Sequence, residues 1–193
     1  GRFNVVGTSI GIGLFELAAR QTDHSFSIET KKEVEGRSWP NGCHISEVEI
    51  DPETGCVSLV SHGSVDDTGI PINPMIVEGQ LHGGIAQGAG QALFELSQYD
   101  SEGQLLTGSF MDYTMPRSDD LPSFNTNIFK DTPCKNNPLG AKGVGEIGVV
   151  GSIPAVANAI FDVLWEHGVR QFDMPSHPQK IWKLLQNPRS DSN

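Results

Sequence analysis

At 193 residues the chain is long enough for one domain with a proper core, or for two small lobes. Apolar residues at 37% and charged residues at 19% exclude a disordered chain. A net charge of -11, from 13 basic and 24 acidic side chains, excludes a basic face that reads nucleic-acid phosphates. Cys43, Cys56 and Cys134 are too few for a four-thiolate iron–sulfur cluster and too far apart for a zinc pair. Reduced thiols in a cytoplasmic protein are expected, with a periplasmic setting left open. No run of 18 apolar residues predicts a membrane span, and no basic-then-apolar leader opens the chain. It starts at Gly1 as if in mid-domain, so a fragment or a processed chain is expected.

Ser9 to Gln21 has helical periodicity, with Leu14, Leu17 and Ala18 on one face. Asp23 to Ser38 is polar and reads as a loop with a weak strand. A hairpin follows. His44 to Ile50 alternates, with Val48 and Ile50 on one side and Glu47 and Glu49 on the other; Asp51 to Gly55 carries turn residues; Val57 to Val60 returns.

Asn73-Pro74 predicts a helix start, Asn as cap and Pro at the first helical position. Val77, Leu81, Ile85, Ala89, Leu93 and Leu96 form a stripe that carries this helix to about Gln98. Gly79, Gly83, Gly84, Gly88 and Gly90 lie in it, each costing roughly 1 kcal/mol relative to Ala. Two spaced pairs, Gly79 with Gly83 and Gly84 with Gly88, would make side-chain-free grooves. Tight helix packing and contact with a flat ligand both account for them. Gln80, Gln87 and Gln91 in the same helix suit a ligand with mixed donors and acceptors, or plain solvent.

Leu105 to Thr114 and Phe124 to Phe129 read as strands around a Pro- and Asp-rich loop. Asn136 to Glu146 is glycine-rich. Gly140, Gly143 and Gly145 bare the backbone so that N–H groups can converge on an anion, although the spacing is not that of a P-loop. Lys142 adds a cation. Glu146 closes the loop, either as a charge matched to a helix dipole or as a positioned base. A helix is expected from about Ser152 to His167, with Pro154 in its first turn. A last helix starts at Ser176, whose spacing to Gln179 is that of a capping box. His44 and His62 could approach across the hairpin, but no helical metal-ligand spacing exists. Asp66 and Asp67 read as turn or cap residues rather than as a metal site.

Several separated motifs then agree. Pro40-Asn41-Gly42-Cys43-His44, Glu47 to Gly55, Ile72-Asn73-Pro74, Glu78-Gly79-Gln80 with Gln87-Gly88, Gly108 to Tyr113, and Asn137 to Glu146 occur in order over nearly the whole chain. They resemble the C-terminal molybdopterin domain of the xanthine dehydrogenase, aldehyde oxidase and carbon monoxide dehydrogenase family, in the style of the bacterial carbon monoxide dehydrogenase-like large subunits. The resemblance implies a molybdenum–molybdopterin cofactor shared with an upstream part of the subunit. It implies Glu146 as the base that takes a proton from metal-bound hydroxide, Gln80 as a pterin contact, Val144 and Gly145 as backbone contacts, and Lys142 as a support of the loop. It implies iron–sulfur and FAD groups on partner domains or subunits. No metal ligand is assigned within this chain.

The expected fold is α+β: mainly antiparallel strands, a long Gly-rich helix and two C-terminal helices, part of a larger molybdopterin-binding domain, over residues 1–187 with a polar tail at 188–193. The expected function is molybdenum-dependent hydroxylation or oxidation of a small carbon substrate (aldehyde, N-heterocycle, purine or carbon monoxide) within a larger assembly, the chain alone being inactive. The rivals are a non-catalytic assembly module docking through the glycine groove, and a free anion-binding loop protein.

Overall fold

The computed structural model describes residues 1–31, 33 and 36–186. The tail expected at 188–193 lies outside the described residues. The chain divides into two units, Gly1–Glu35 and Gly36–Asn193.

In the first unit, β1 (Arg2–Asn4) pairs antiparallel with β2 (Gly11–Gly13), and α1 (Leu14–Ala19) follows directly. The helix expected from Ser9 is therefore one turn and a half long, and Gly11–Gly13 within the expected span are strand. Gly11 and Gly13 explain this, because each costs helix stability and the strand ladder gives their backbone partners. No strand forms among the described residues of 23–38.

Among its described residues the second unit holds a three-stranded sheet of order β3-β4-β5 and three helices. β3 (Asn41–Ile50) and β4 (Val57–Asp67) are the expected hairpin, antiparallel and longer than the alternation indicated. Asp51 closes its turn by accepting from Glu53 N–H at 2.9 Å and Thr54 Oγ at 2.7 Å, and Gly55 takes a φ of 75°. The register shifts between Glu47 and Val48, a bulge that twists the hairpin. β5 (Phe124–Phe129) runs parallel to β4, so the sheet is mixed.

α2 (Pro74–Leu93) starts as expected, with Asn73 Oδ1 accepting from Ile76 N–H at 3.3 Å. It stops at Leu93, five residues short of the expected end. Phe94 and Glu95 both return their N–H to Gly90 O, and Gln98 leaves to pair with the segment around Leu105. The strand expected at 105–114 does not form beyond that single bridge. Ser109 and Asp112 bond each other at 2.8 Å and fold the chain into a turn, a local alternative that outcompetes a ladder.

α3 (Ile147–Glu166) begins five residues before the expected start, and Pro154 sits well inside it. The carbonyl that Pro154 leaves without a donor is that of Val150, a 67% exposed position where solvent can take its place. α3 is long and apolar enough to cross a membrane by length and composition. Here it packs on α2 and β3, with Val156, Ile160 and Leu164 fully buried. α4 (Pro178–Gln186) closes the core through Ile181. The capping box expected at its start is not made: Ser176 Oγ is buried without a partner, and Ser176 N–H goes to Ala92 O.

The α2–α3 contact sorts the glycines. A Cβ on Gly84 would lie 2.8 Å from Gly148 Cα, and one on Gly88 would lie 2.0 Å from Ser152 Oγ. That pair serves close helix packing. A Cβ on Gly79 or Gly83 would meet nothing within 4 Å. The first groove is open.

Candidate functional site

The glycine-rich loop is stitched to the end of β4. Asn137 brackets Ala141, accepting from its N–H at 3.2 Å and donating to its carbonyl at 2.9 Å. Lys142 N–H donates to Thr68 O at 2.9 Å. Gly140, with a φ of 69°, offers its carbonyl to both Ile70 and Cys134 N–H, a reversal that a side chain would strain.

Lys142 supports this loop from below. Its Nζ donates to Asp67 Oδ2 at 2.6 Å, with both side chains largely buried. Burial alone would push the Asp67 carboxyl up. Hydrogen bonds from Lys142 and Thr132 outweigh it and hold the group below the usual carboxylate range. Asp67 also accepts from Gly69 N–H at 2.9 Å, the turn role read from the sequence. Lys142 thus spends its charge on β4 rather than on an open anion site.

Beyond Lys142 the backbone is bare. Gly143 and Gly145 are exposed; a Cβ on Gly145 would have Gln80 Nε2 as its nearest neighbour, at 4.0 Å. Gln80, Gly145 and Glu146 are brought to one place. Gln80 and Gln87 are exposed, and their side chains make no hydrogen bond among the described residues. Glu146 occupies the cap position of α3 but makes no capping hydrogen bond, so its carboxylate is exposed and uncommitted.

Ser38 to Gly42, Gly143 to Ile147, Val150 and Gly151 line a cavity of about 530 Å³, with His44 and Asp66 also on its wall. Val144, Gly145 and Glu146 form one side of it. The bare loop and the open Gly79–Gly83 surface allow a bulky planar group to approach closely, so these residues fit a pterin cofactor.

Behind the cavity lies a buried chain of polar side chains. Ser46 Oγ is 2.8 Å from His62 Nδ1, His62 Nε2 is 3.1 Å from His44 Nδ1, and His44 Nε2 is 3.2 Å from Asp66 Oδ1. With Asp66 as carboxylate, His44 Nε2–H donates to it, and the two remaining links follow the tautomers of the rings. Burial, then the neighbouring His44, lowers the His62 pKa to about 4, so the ring is neutral near pH 7. Sequence reasoning weighed these histidines only as a metal pair and read Asp66 as a turn residue. The usable signal was period two: His44 and Ser46 share the inward face of β3 with Val48 and Ile50.

Residues 12–122 match the family model of the molybdopterin cofactor-binding domain. The chain belongs to that family. It is 43% identical over 141 residues to the nicotine 6-hydroxylase large subunit of Paenarthrobacter nicotinovorans, covering 73% of this chain and 17% of that protein. It is 33% identical over 197 residues to the 6-hydroxypseudooxynicotine dehydrogenase complex subunit gamma of the same organism, covering 96% of this chain and 24% of that protein. Among solved structures, carbon monoxide dehydrogenase from Oligotropha carboxidovorans superposes with a TM-score of 0.74 at 35% identity, covering 77% of this chain and 18% of that one. Quinoline 2-oxidoreductase from Pseudomonas putida 86 gives 0.70 at 40% identity, covering 73% and 18%. The chain therefore spans about a fifth of the length of the relatives it matches, and the α+β architecture is that of this molybdopterin-binding fold.

Proposed function

We propose that this chain is part of the molybdopterin-binding portion of a molybdenum-dependent oxidoreductase that hydroxylates or oxidises a small carbon substrate, with Glu146 as the base. The observation that carries this reading is the place of Glu146: it ends a bare-backbone loop on a cavity wall, and the helix it precedes does not use its carboxylate. A carboxylate held in place but left free of partners is what a proton acceptor requires.

When bound, the molybdenum–pterin group supplies the oxygen nucleophile and takes up the electron pair from the substrate carbon. Glu146 holds the proton released as the carbon–oxygen bond forms. The exposed Gln80 amide offers a donor and an acceptor to the pterin edge. Val144 and Gly145 present backbone at close range, and Lys142, through Asp67, keeps the loop from sagging. Iron–sulfur and flavin groups on partner domains or subunits would take the electrons onward. The relatives named as a subunit gamma and a large subunit support a multi-subunit assembly.

Metal analysis of the purified assembly that contains this chain tests the reading. Molybdenum at about one atom per chain is expected; an assembly that is intact and folded but free of molybdenum would leave only a structural module.

A further inference from the structure

We propose that His44 is a positioning residue for Glu146: its imidazole fills the hollow that Gly151 leaves in α3, and so sets where the N-terminus of that helix stands against the cavity. The proposal rests on the reading of Glu146 as the base.

Gly151 lies in the interior of α3, where a glycine costs about 1 kcal/mol of helix stability relative to Ala. The close approach of His44 gives the reason for it. A Cβ on Gly151 would lie 2.3 Å from His44 Cδ2 and 2.5 Å from both Cγ and Nε2. The ring is laid against helix backbone with no side chain between them.

The ring cannot turn away. Its side chain is 3% exposed, Nε2 bonds Asp66 and Nδ1 bonds His62, which Ser46 holds in turn. Asp66 sits where Gly42 makes room, since a Cβ on Gly42 would be 2.2 Å from Asp66 Oδ1. Two bare positions, one on β3 and one on α3, thus admit one hydrogen-bonded chain. It joins the hairpin to the helix that starts beside Glu146. His44, Asp66, Gly151 and Glu146 all border the same cavity. Gly151 is five residues from Glu146, roughly 7.5 Å along the helix axis. A slide of α3 at Gly151 is therefore felt at the carboxylate, and a misplacement of about 1 Å can cost on the order of 100-fold in rate.

The test is a mutant cycle in the intact molybdenum-loaded assembly, using His44→Ala, Gly151→Ala, the double variant and His44→Gln. Each is read by kcat, KM, molybdenum content and the crystallographic position of residues 143–147. His44→Ala and Gly151→Ala are each expected to lower kcat on the order of 100-fold, with KM and molybdenum content held and the loop displaced. Gln still donates to Asp66, so His44→Gln should recover most of the rate. In the double variant the alanine methyl enters the space that the ring has vacated, so the second change should cost nothing further.

Losses that multiply in the double variant, or a His44→Gln variant as slow as His44→Ala, would overturn the proposal. Should His44→Ala not accumulate as folded protein, Gly151→Ala decides alone: an unchanged kcat or an unmoved loop overturns it. Glu146→Gln separates the two layers. If that change leaves turnover intact, the base assignment fails. If it abolishes turnover while Gly151→Ala is silent, only the positioning role fails.

Discussion

Alanine at Gly84 and alanine at Gly79 should act in opposite directions, although the two glycines are one turn and a half apart on one helix. At Gly84 a Cβ would lie 2.8 Å from Gly148 Cα and 2.8 Å from Val149 N, so it meets backbone that cannot rotate aside. α2 and α3 must spread, and overpacking of this kind costs about 1–3 kcal/mol. The better helix propensity of Ala returns about 1 kcal/mol. At Gly79 nothing lies within 4 Å, so only the propensity gain remains. The two variants should therefore differ by roughly 1–3 kcal/mol, since the propensity gain is common to both. For a domain of this size that is a separation on the order of 5 °C in Tm. Urea unfolding of the 193-residue chain, followed by far-ultraviolet circular dichroism, measures it. Equal effects at the two positions would refute the assignment of one glycine pair to helix packing and the other to an open surface.

Two further outcomes follow from the site. Because the His62 pKa is depressed from 6.5 to about 4 in the folded chain, the unfolded chain binds more protons between those values. Stability contributed there is fully present above pH 6.5 and is lost as pH falls toward 4, by roughly 2 kcal/mol at pH 4.5. Urea midpoints from pH 7 to 4.5 should show this slope, and His62→Gln should flatten it; an equal slope in both chains contradicts the neutral buried ring. Asp67→Asn removes the carboxylate that holds Lys142 and should destabilise the loop by about 1–3 kcal/mol. Amide hydrogen exchange at 140–143 should then accelerate, and unchanged protection would mean that the ion pair does not hold the loop.

What could be read from the sequence was mostly local. The Asp51 to Gly55 turn and the Asn73-Pro74 helix start carry their own hydrogen-bond chemistry, and both form as expected. Pro154 misled, because proline is commonest in a first turn, and an exposed Val150 carbonyl lets it sit deeper. The parallel pairing of β5 with β4 is long-range and leaves no local mark. The glycines of α2 stood out as a cluster, yet which pair faces α3 depends on where Gly148 and Ser152 arrive. Glu146 was legible as the end of a bare loop. The polar chain behind it was not, because His44, Ser46, His62 and Asp66 acquire meaning only once the hairpin register sets them side by side.

Replacement of one carboxylate oxygen by an amino group at position 146 tests the account most directly. In the molybdenum-loaded assembly, Glu146→Gln should lower kcat by about 10²–10⁴-fold, the range of a lost general base, while molybdenum content stays at the wild-type level. Turnover equal to wild type at equal molybdenum content would contradict the account.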